Sequence, residues 1–159
     1  PGNPFDNEVF SYGHRNVQGL AFDDEDRLWA SEFGQQAWDE LNLIREGANY
    51  GWPEVEGSGQ VKGMTNPKVV WRTRDASPSG LAYWQGGLWM AGLRGERLWE
   101  IPLDGASTRA PIAHFRGDYG RLRTVVVAHD GNSLLLSNSN TDGRGDPSRD
   151  DDRLFRLTR

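Results

Sequence analysis

Seven arginines sit in turn-rich, polar segments of the chain: Arg15, Arg72, Arg74, Arg94, Arg116, Arg121 and Arg123. Guanidinium forks match planar carboxylates and phosphates bidentately, so arginines that converge make a seat for an anion. Arg121-Leu122-Arg123 is the sharpest instance. On an extended segment, residues i and i+2 point the same way, and two guanidiniums aimed together call for an anion between them. The alternative reading is that these arginines decorate solvated loops. Other reactive types are sparse. His14, His114 and His129 read as structural or surface groups, and the acidic loop 142–152 lacks the regular ligand spacing of an EF-hand and reads as a solvated surface loop.

The elements that must position these arginines are short strands. The 159 residues include 20 glycines and 8 prolines, and helical periodicity is nearly absent; the best helix candidate is Ala37 to Arg45. What recurs is a short apolar run bounded by turn residues, the mark of an all-β fold. Val17-Gln-Gly-Leu-Ala-Phe22, a polar turn and Leu28-Trp29 parallel Pro78-Ser-Gly-Leu-Ala-Tyr83, a glycine turn and Leu88-Trp89. A third copy runs from Arg123-Thr-Val-Val-Val127 to Leu134-Leu135. Third strands follow at 41–44, 97–101 and 153–157, and fourth strands at 68–72 and 111–116. Four strands per repeated unit is the blade pattern of a β-propeller. About three blades fit, with approximate bounds 17–73, 79–116 and 123–157 within a single unit 1–159, and 8–12 as an outer strand of a preceding blade. Rings usually close with about 4 to 8 blades, so the expectation is a partial propeller, with an open β-sandwich as the alternative. Pro1-Gly2-Asn3-Pro4 reads as a chain entered in mid-course. In a propeller, loops before each inner strand share a face with loops between second and third strands. All seven arginines fall in those loops.

Composition excludes several classes. A net charge of −5 with no basic run argues against nucleic-acid binding. No stretch approaches the roughly 20 apolar residues of a membrane helix. With no cysteine there can be no disulfide framework and no thiolate metal site. Seven tryptophans rule out a disordered composition; Trp29, Trp71, Trp89 and Trp99 fall on strands as blade packing, while Trp52 and Trp84 are candidates for lining a cleft.

One run is specific. Gly13-His-Arg-Asn-Val-Gln-Gly-Leu-Ala-Phe22, Leu28-Trp-Ala-Ser-Glu-Phe-Gly34, Asp39-Glu-Leu-Asn-Leu-Ile44 and Gly47-Ala-Asn-Tyr-Gly-Trp-Pro53 follow in close order. This run resembles the soluble quinoprotein glucose dehydrogenase and aldose sugar dehydrogenase family, the glucose/sorbosone dehydrogenases. Weaker similarity extends through Ser77 to Ala82 and Arg121 to Arg123 toward the C-terminus. The resemblance implies a six-bladed β-propeller that uses pyrroloquinoline quinone (PQQ) and calcium, with this chain covering the C-terminal half. It implies oxidation of an aldose at C1 to a lactone, an external electron acceptor, and a periplasmic or secreted location.

Residue by residue, the resemblance places Arg15 and Asn16 against the quinone, and the backbone carbonyls of Gly34 and Gln35 on the PQQ-bound calcium. It places Arg94 on the cofactor's carboxylates, and Arg121 and Arg123 as a clamp on the cofactor. Asp39 and Glu40 match acidic residues near a second calcium site of some relatives. The chain departs from the family pattern at Phe33 and at Gln35, where a polar residue and proline are usual. The family's general-base histidine belongs to an earlier blade, so no catalytic residue is expected here and the 159 residues alone are expected to be inactive. Rival readings are a calcium-dependent propeller lactonase or hydrolase, and a non-catalytic binding module. Open strand edges would also invite self-association.

Overall fold

The computed structural model describes residues 3–158; Pro1, Gly2 and Arg159, on which the reading of the N-terminus and the bounds of the unit partly fall, lie outside them. The described residues form no helix and twelve strands. The first sheet is an antiparallel meander of β1 (Val17–Phe22), β2 (Leu28–Glu32), β3 (Trp38–Leu43) and β4 (Val69–Arg72). The second follows the same order with β5 (Pro78–Trp84), β6 (Gly87–Gly92) and β7 (Arg97–Asp104). Its outer edge is divided: β8 (Ser107–Thr108) pairs the end of β7, and β9 (Ile112–His114) pairs its beginning. The third sheet contains β10 (Leu122–Val127), β11 (Ser133–Asn138) and β12 (Leu154–Thr158).

Two sequence expectations change. The best helix candidate, 37–45, carries β3 instead, so the third strand read at 41–44 begins earlier, at Trp38. Its residues are buried on both faces between β2 and β4, and that pairing overrides a weak local preference. Residues 8–12 form no ladder; Tyr12 makes one isolated parallel bridge to Asn49.

The core lies between sheets. Trp29, Leu41, Trp71, Leu88, Met90, Trp99 and Ile101 fill the space between the first and second sheets. Trp84, Trp89, Leu98, Leu122, Val125, Leu134 and Leu136 fill the space between the second and third. The repeated Gly-Leu-Ala has a steric cause. A Cβ at Gly19 would lie 2.6 Å from the Ser79 carbonyl oxygen, and one at Gly80 would lie 2.8 Å from the Val125 nitrogen. Glycine therefore lets successive inner strands converge. Each inner strand is also irregular near its start, with register shifts at Val17/Gly19, Pro78/Leu81 and Leu122/Thr124. Such irregularities re-aim side chains at the end of a strand. Here they fall at the ends that carry the arginine loops.

The outer faces of the stack are apolar and open. Leu20 and Phe22 are exposed on the first sheet, and Val126, Leu135 and Leu154 on the third. A closed ring would cover both with further blades.

Candidate functional site

The arginine-bearing loops meet at one end of the three sheets and enclose a cavity of about 820 Å³. Arg15, Asn16, Gly34, Gln35, Asp39, Arg94 and Arg121 all line it. Phe33 contributes an apolar patch to the same wall. Arg123 is not among the lining residues. Its side chain, 45% exposed, stands at the margin beside Arg121, which is 8% exposed. Both reach the same oxygen: Arg121 Nη2 lies 3.2 Å and Arg123 Nη2 3.3 Å from Asp142 Oδ2. The expected convergence of the pair is present, and the chain itself supplies the anion between them.

Three of the seven arginines have other work. Arg72 stacks 3.9 Å over the Trp38 ring, Arg74 is 77% exposed beside Asp75, and Arg116 is exposed. Arg144, from the loop between β11 and β12, joins the cavity instead. That loop is more than a solvated surface. Asp151 accepts from Asn138 Nδ2, Asn140 Nδ2, the Ser148 amide and Arg153 Nε, which holds its carboxyl far below the ordinary carboxylate range. Asn140, thus fixed, accepts the Arg121 amide at 2.8 Å, and Arg121 Nε donates to the Ser139 carbonyl at 3.2 Å. The buried arginine is therefore anchored at backbone and side chain alike.

The loop that carries Gly34 and Gln35 is held by its amides. Glu56 Oε1 accepts the amides of Gln36, Ala37 and Trp38 at 2.9, 2.9 and 3.1 Å, and the Gln35 amide also donates to this carboxylate. Burial raises the Glu56 pKa, but these four amides outweigh it and hold the carboxyl below its ordinary value. In a planar trans peptide the C=O points away from the N–H. The carbonyls of Gly34 and Gln35, joined to the amides of Gln35 and Gln36, therefore point away from Glu56, and both residues face the cavity. Such a ledge of carbonyl oxygens suits a hard cation. Gly34 is required by space, because a Cβ there would overlap the Trp38 carbonyl and the Glu56 carboxylate. Gly34→Ala is expected to destabilise the chain by about 1–3 kcal/mol, the usual cost of overpacking, seen as a lowered thermal midpoint. An unchanged midpoint would contradict this account of the loop.

A buried carboxylate that the sequence reading passed over joins the two loops. Glu32, 3% exposed, accepts the Arg15 amide at 2.9 Å, the Asn16 amide at 3.3 Å and Asn42 Nδ2 at 2.9 Å. His14 Nδ1 lies 3.0 Å from Oε1, the oxygen that also accepts Asn42, and the His14 ring stacks on Tyr50. Burial pushes the Glu32 pKa up, and the bonds from His14, Arg15 and Asn16 more than reverse it. The Phe33 amide donates back to the Asn16 carbonyl at 3.0 Å, and Arg15 Nη1 donates to the Phe33 carbonyl at 3.3 Å. Nothing in the local sequence marks Glu32, Glu56 or Asp142, because each acts on residues 17 to 21 positions distant.

Asp39 and Glu40 do not converge. As neighbours on β3 they point to opposite faces. Asp39 turns to the cavity wall and accepts the Gly34 amide at 3.1 Å and the Ser77 amide at 2.6 Å. Glu40 borders a narrow crevice behind it and accepts the Gly57 amide and Asn42 Nδ2. Burial raises the pKa of both. Among the described residues no group of three or more His, Asp or Glu is arranged to hold a metal. Trp52 borders the same crevice, 5.5 Å from the Arg15 guanidinium carbon, whereas Trp84 is buried packing that donates to the Gly131 carbonyl. No histidine lines the cavity: His114 pairs with Glu100 and stacks on Trp89, and His129 lies exposed in a hairpin turn.

Comparison with known proteins agrees across sequence and structure. The model for glucose/sorbosone dehydrogenases matches residues 1–147. The PQQ-bound aldose sugar dehydrogenase of Streptomyces coelicolor superimposes with a TM-score of 0.95 at 60% identity, covering 99% of this chain and 48% of that one. The aldose sugar dehydrogenase YliI of Escherichia coli is 29% identical over 158 residues, covering 84% of this chain and 42% of its own length. Quinoprotein glucose dehydrogenase B of Acinetobacter calcoaceticus is 53% identical over 49 residues. The chain thus spans about half the length of the longer relatives it matches, and its all-β sheets are a partial propeller.

Proposed function

The chain belongs to the glucose/sorbosone dehydrogenase family, and from that premise we propose that it forms the C-terminal part of a PQQ- and calcium-dependent aldose dehydrogenase. The supporting observation is a single cavity that sets a carbonyl ledge at Gly34 and Gln35 against arginine forks at Arg15, Arg94 and Arg121. PQQ is a tricarboxylate quinone, and these donor types suit it: guanidiniums for carboxylates, carbonyl oxygens for the calcium beside them. When bound, the pair would supply hydride acceptance from C1 of an aldose, with the metal polarising the quinone.

The chain's own part is binding and orientation. Arg94, Arg121 and Arg123 would neutralise the carboxylates of PQQ, and Arg15 and Asn16 would hold the quinone from a turn that Glu32 fixes. Gly34 and Gln35 present carbonyls because Glu56 binds the amides behind them. Phe33 contributes apolar surface where the family commonly has a polar contact. In the family reading the general base is a histidine of an earlier blade; here His14 pairs with Glu32, His114 pairs with Glu100, and none lines the cavity. The 159 residues alone are therefore expected to turn over no sugar. The exposed apolar faces of the first and third sheets are the surfaces for further blades, or for self-association in their absence. A periplasmic or secreted location follows the same family reading; among the described residues no helix is long and apolar enough to cross a membrane.

Titration of the purified chain with PQQ, with and without calcium, tests the proposal through absorbance and tryptophan quenching. Saturable binding that weakens at least tenfold when calcium is chelated is expected. A folded chain that binds no PQQ at either calcium level would reject the assignment for this segment.

A further inference from the structure

The arginine clamp already holds an anion, and that anion belongs to the chain. Asp142 Oδ2 is shared between Arg121 and Arg123, while its Oδ1 accepts the Arg144 amide at 3.0 Å. The pair is built for neutralisation rather than for aiming. Arg121 keeps its place without Asp142, because Asn140 holds its amide and the Ser139 carbonyl holds its Nε. What Asp142 adds is a negative charge at the rim of a cavity that gathers Arg15, Arg94, Arg121 and Arg144.

We propose that Asp142 is the resident counter-ion of the Arg121–Arg123 clamp and sets its ligand specificity: an anion binds there by displacing the Asp142 carboxylate. A single shared oxygen at 3.2 and 3.3 Å is a poorer partner for two forks than a carboxylate that offers both oxygens in the plane of a guanidinium. A ligand with several carboxylates can outbid it, since the remaining ones reach Arg15 and Arg94 in the same cavity. A monocarboxylate exchanges one carboxylate for another and gains little. The segment that carries Asp142 is held at Thr141 by Asp152 and is open beyond it. Residues 141–144 are exposed, and Gly143 has φ +81° with no neighbour within 4 Å of a Cβ built there.

This inference rests on the cavity being an anion site, and it does not depend on the quinone. The test is calorimetric titration of the wild-type chain and Asp142→Asn with citrate, a tricarboxylate without a quinone, free of calcium, and separately with PQQ in the presence of calcium. Asp142→Asn is expected to bind citrate about tenfold more tightly, because the competing charge is gone while the side chain keeps its size. Its ligand-free thermal midpoint should fall at the same time. A residue that merely supports the fold would weaken both binding and stability. Citrate affinity that is unchanged or reduced, or absent in both variants, overturns displacement. PQQ binding by the wild type would then leave the proposed function intact. Tightened citrate binding with no PQQ binding would leave the clamp intact and reject the quinone. Should Asp142→Asn not fold, the ¹³C resonance of the wild-type Asp142 carboxyl serves instead: it should move on citrate saturation, and a fixed resonance would overturn the proposal.

Discussion

Replacing Arg121 and Arg123 together by alanine is expected to weaken PQQ binding at least about 100-fold. Each charge-assisted hydrogen-bonded pair contributes about 1.5–3 kcal/mol, so two lost forks amount to about 3 kcal/mol or more. The fold should survive, with the lower thermal midpoint that losing the pairing to Asp142 also brings. Arg121 is held by its backbone amide to Asn140, a bond that alanine retains, and the third sheet packs through Leu122, Val125, Leu134 and Leu136. The matching control is Arg74→Ala, which removes a 77% exposed guanidinium paired only with its neighbour Asp75 and should leave binding unchanged. Paired titrations with a circular dichroism check decide the point. Equal losses in both variants would mean that net charge governs the site and convergence does not.

Glu32→Gln is expected to cause the largest combined loss of stability and binding. A glutamine cannot accept from the Arg15 and Asn16 amides, His14 and Asn42 with both side-chain ends, and it brings an N–H against existing donors. Leaving two buried donors unpaired costs about 1–3 kcal/mol each. A total near 3 kcal/mol corresponds to a fall of about 6–12 °C in thermal midpoint for a chain of this size. Affinity for PQQ should fall with it, because the turn that carries Arg15 and Asn16 loses its anchor. Glu32→Asp should recover part of the stability only if the carboxylate charge, more than its reach, is what the turn needs.

The pH dependence carries a definite sign. The folded-state pKa of Glu32 is depressed, so its contribution is fully present above the ordinary glutamate value and is lost as pH falls through the folded value. Asp39 and Glu40 act oppositely: burial raises their pKa, so their ionisation costs stability as pH rises. The difference between wild type and Glu32→Gln isolates the first effect. That difference should shrink as pH drops below about 4.3, the unperturbed glutamate value, and a constant difference would contradict the network described here.

Much of this protein was legible in one dimension. The Gly-Leu-Ala repeats disclosed blades because a strand's side chains alternate, and because only glycine at 19 and 80 lets inner strands meet. The Arg121–Arg123 pair announced itself by residue type and spacing, the Arg-Asn pair and the Phe-Gly-Gln segment by resemblance to the family, and the structure gathers all but Arg123 into one cavity wall. Tertiary structure alone decided what fixes them. The third strand starts at Trp38, within the helix candidate 37–45, because β2 and β4 enclose residues 38–43 on both sides. The acidic loop became a support for Arg121 through Asn140 and Asp151. Glu32, Glu56 and Asp142 found partners 17 to 21 residues away, where hydrogen bonds depend on how the loops fold back and not on local pattern. Sequence determined which groups could do chemistry, since residue type sets charge and donor capacity. The fold decided which of those groups face one another, since convergence is a property of distance in space.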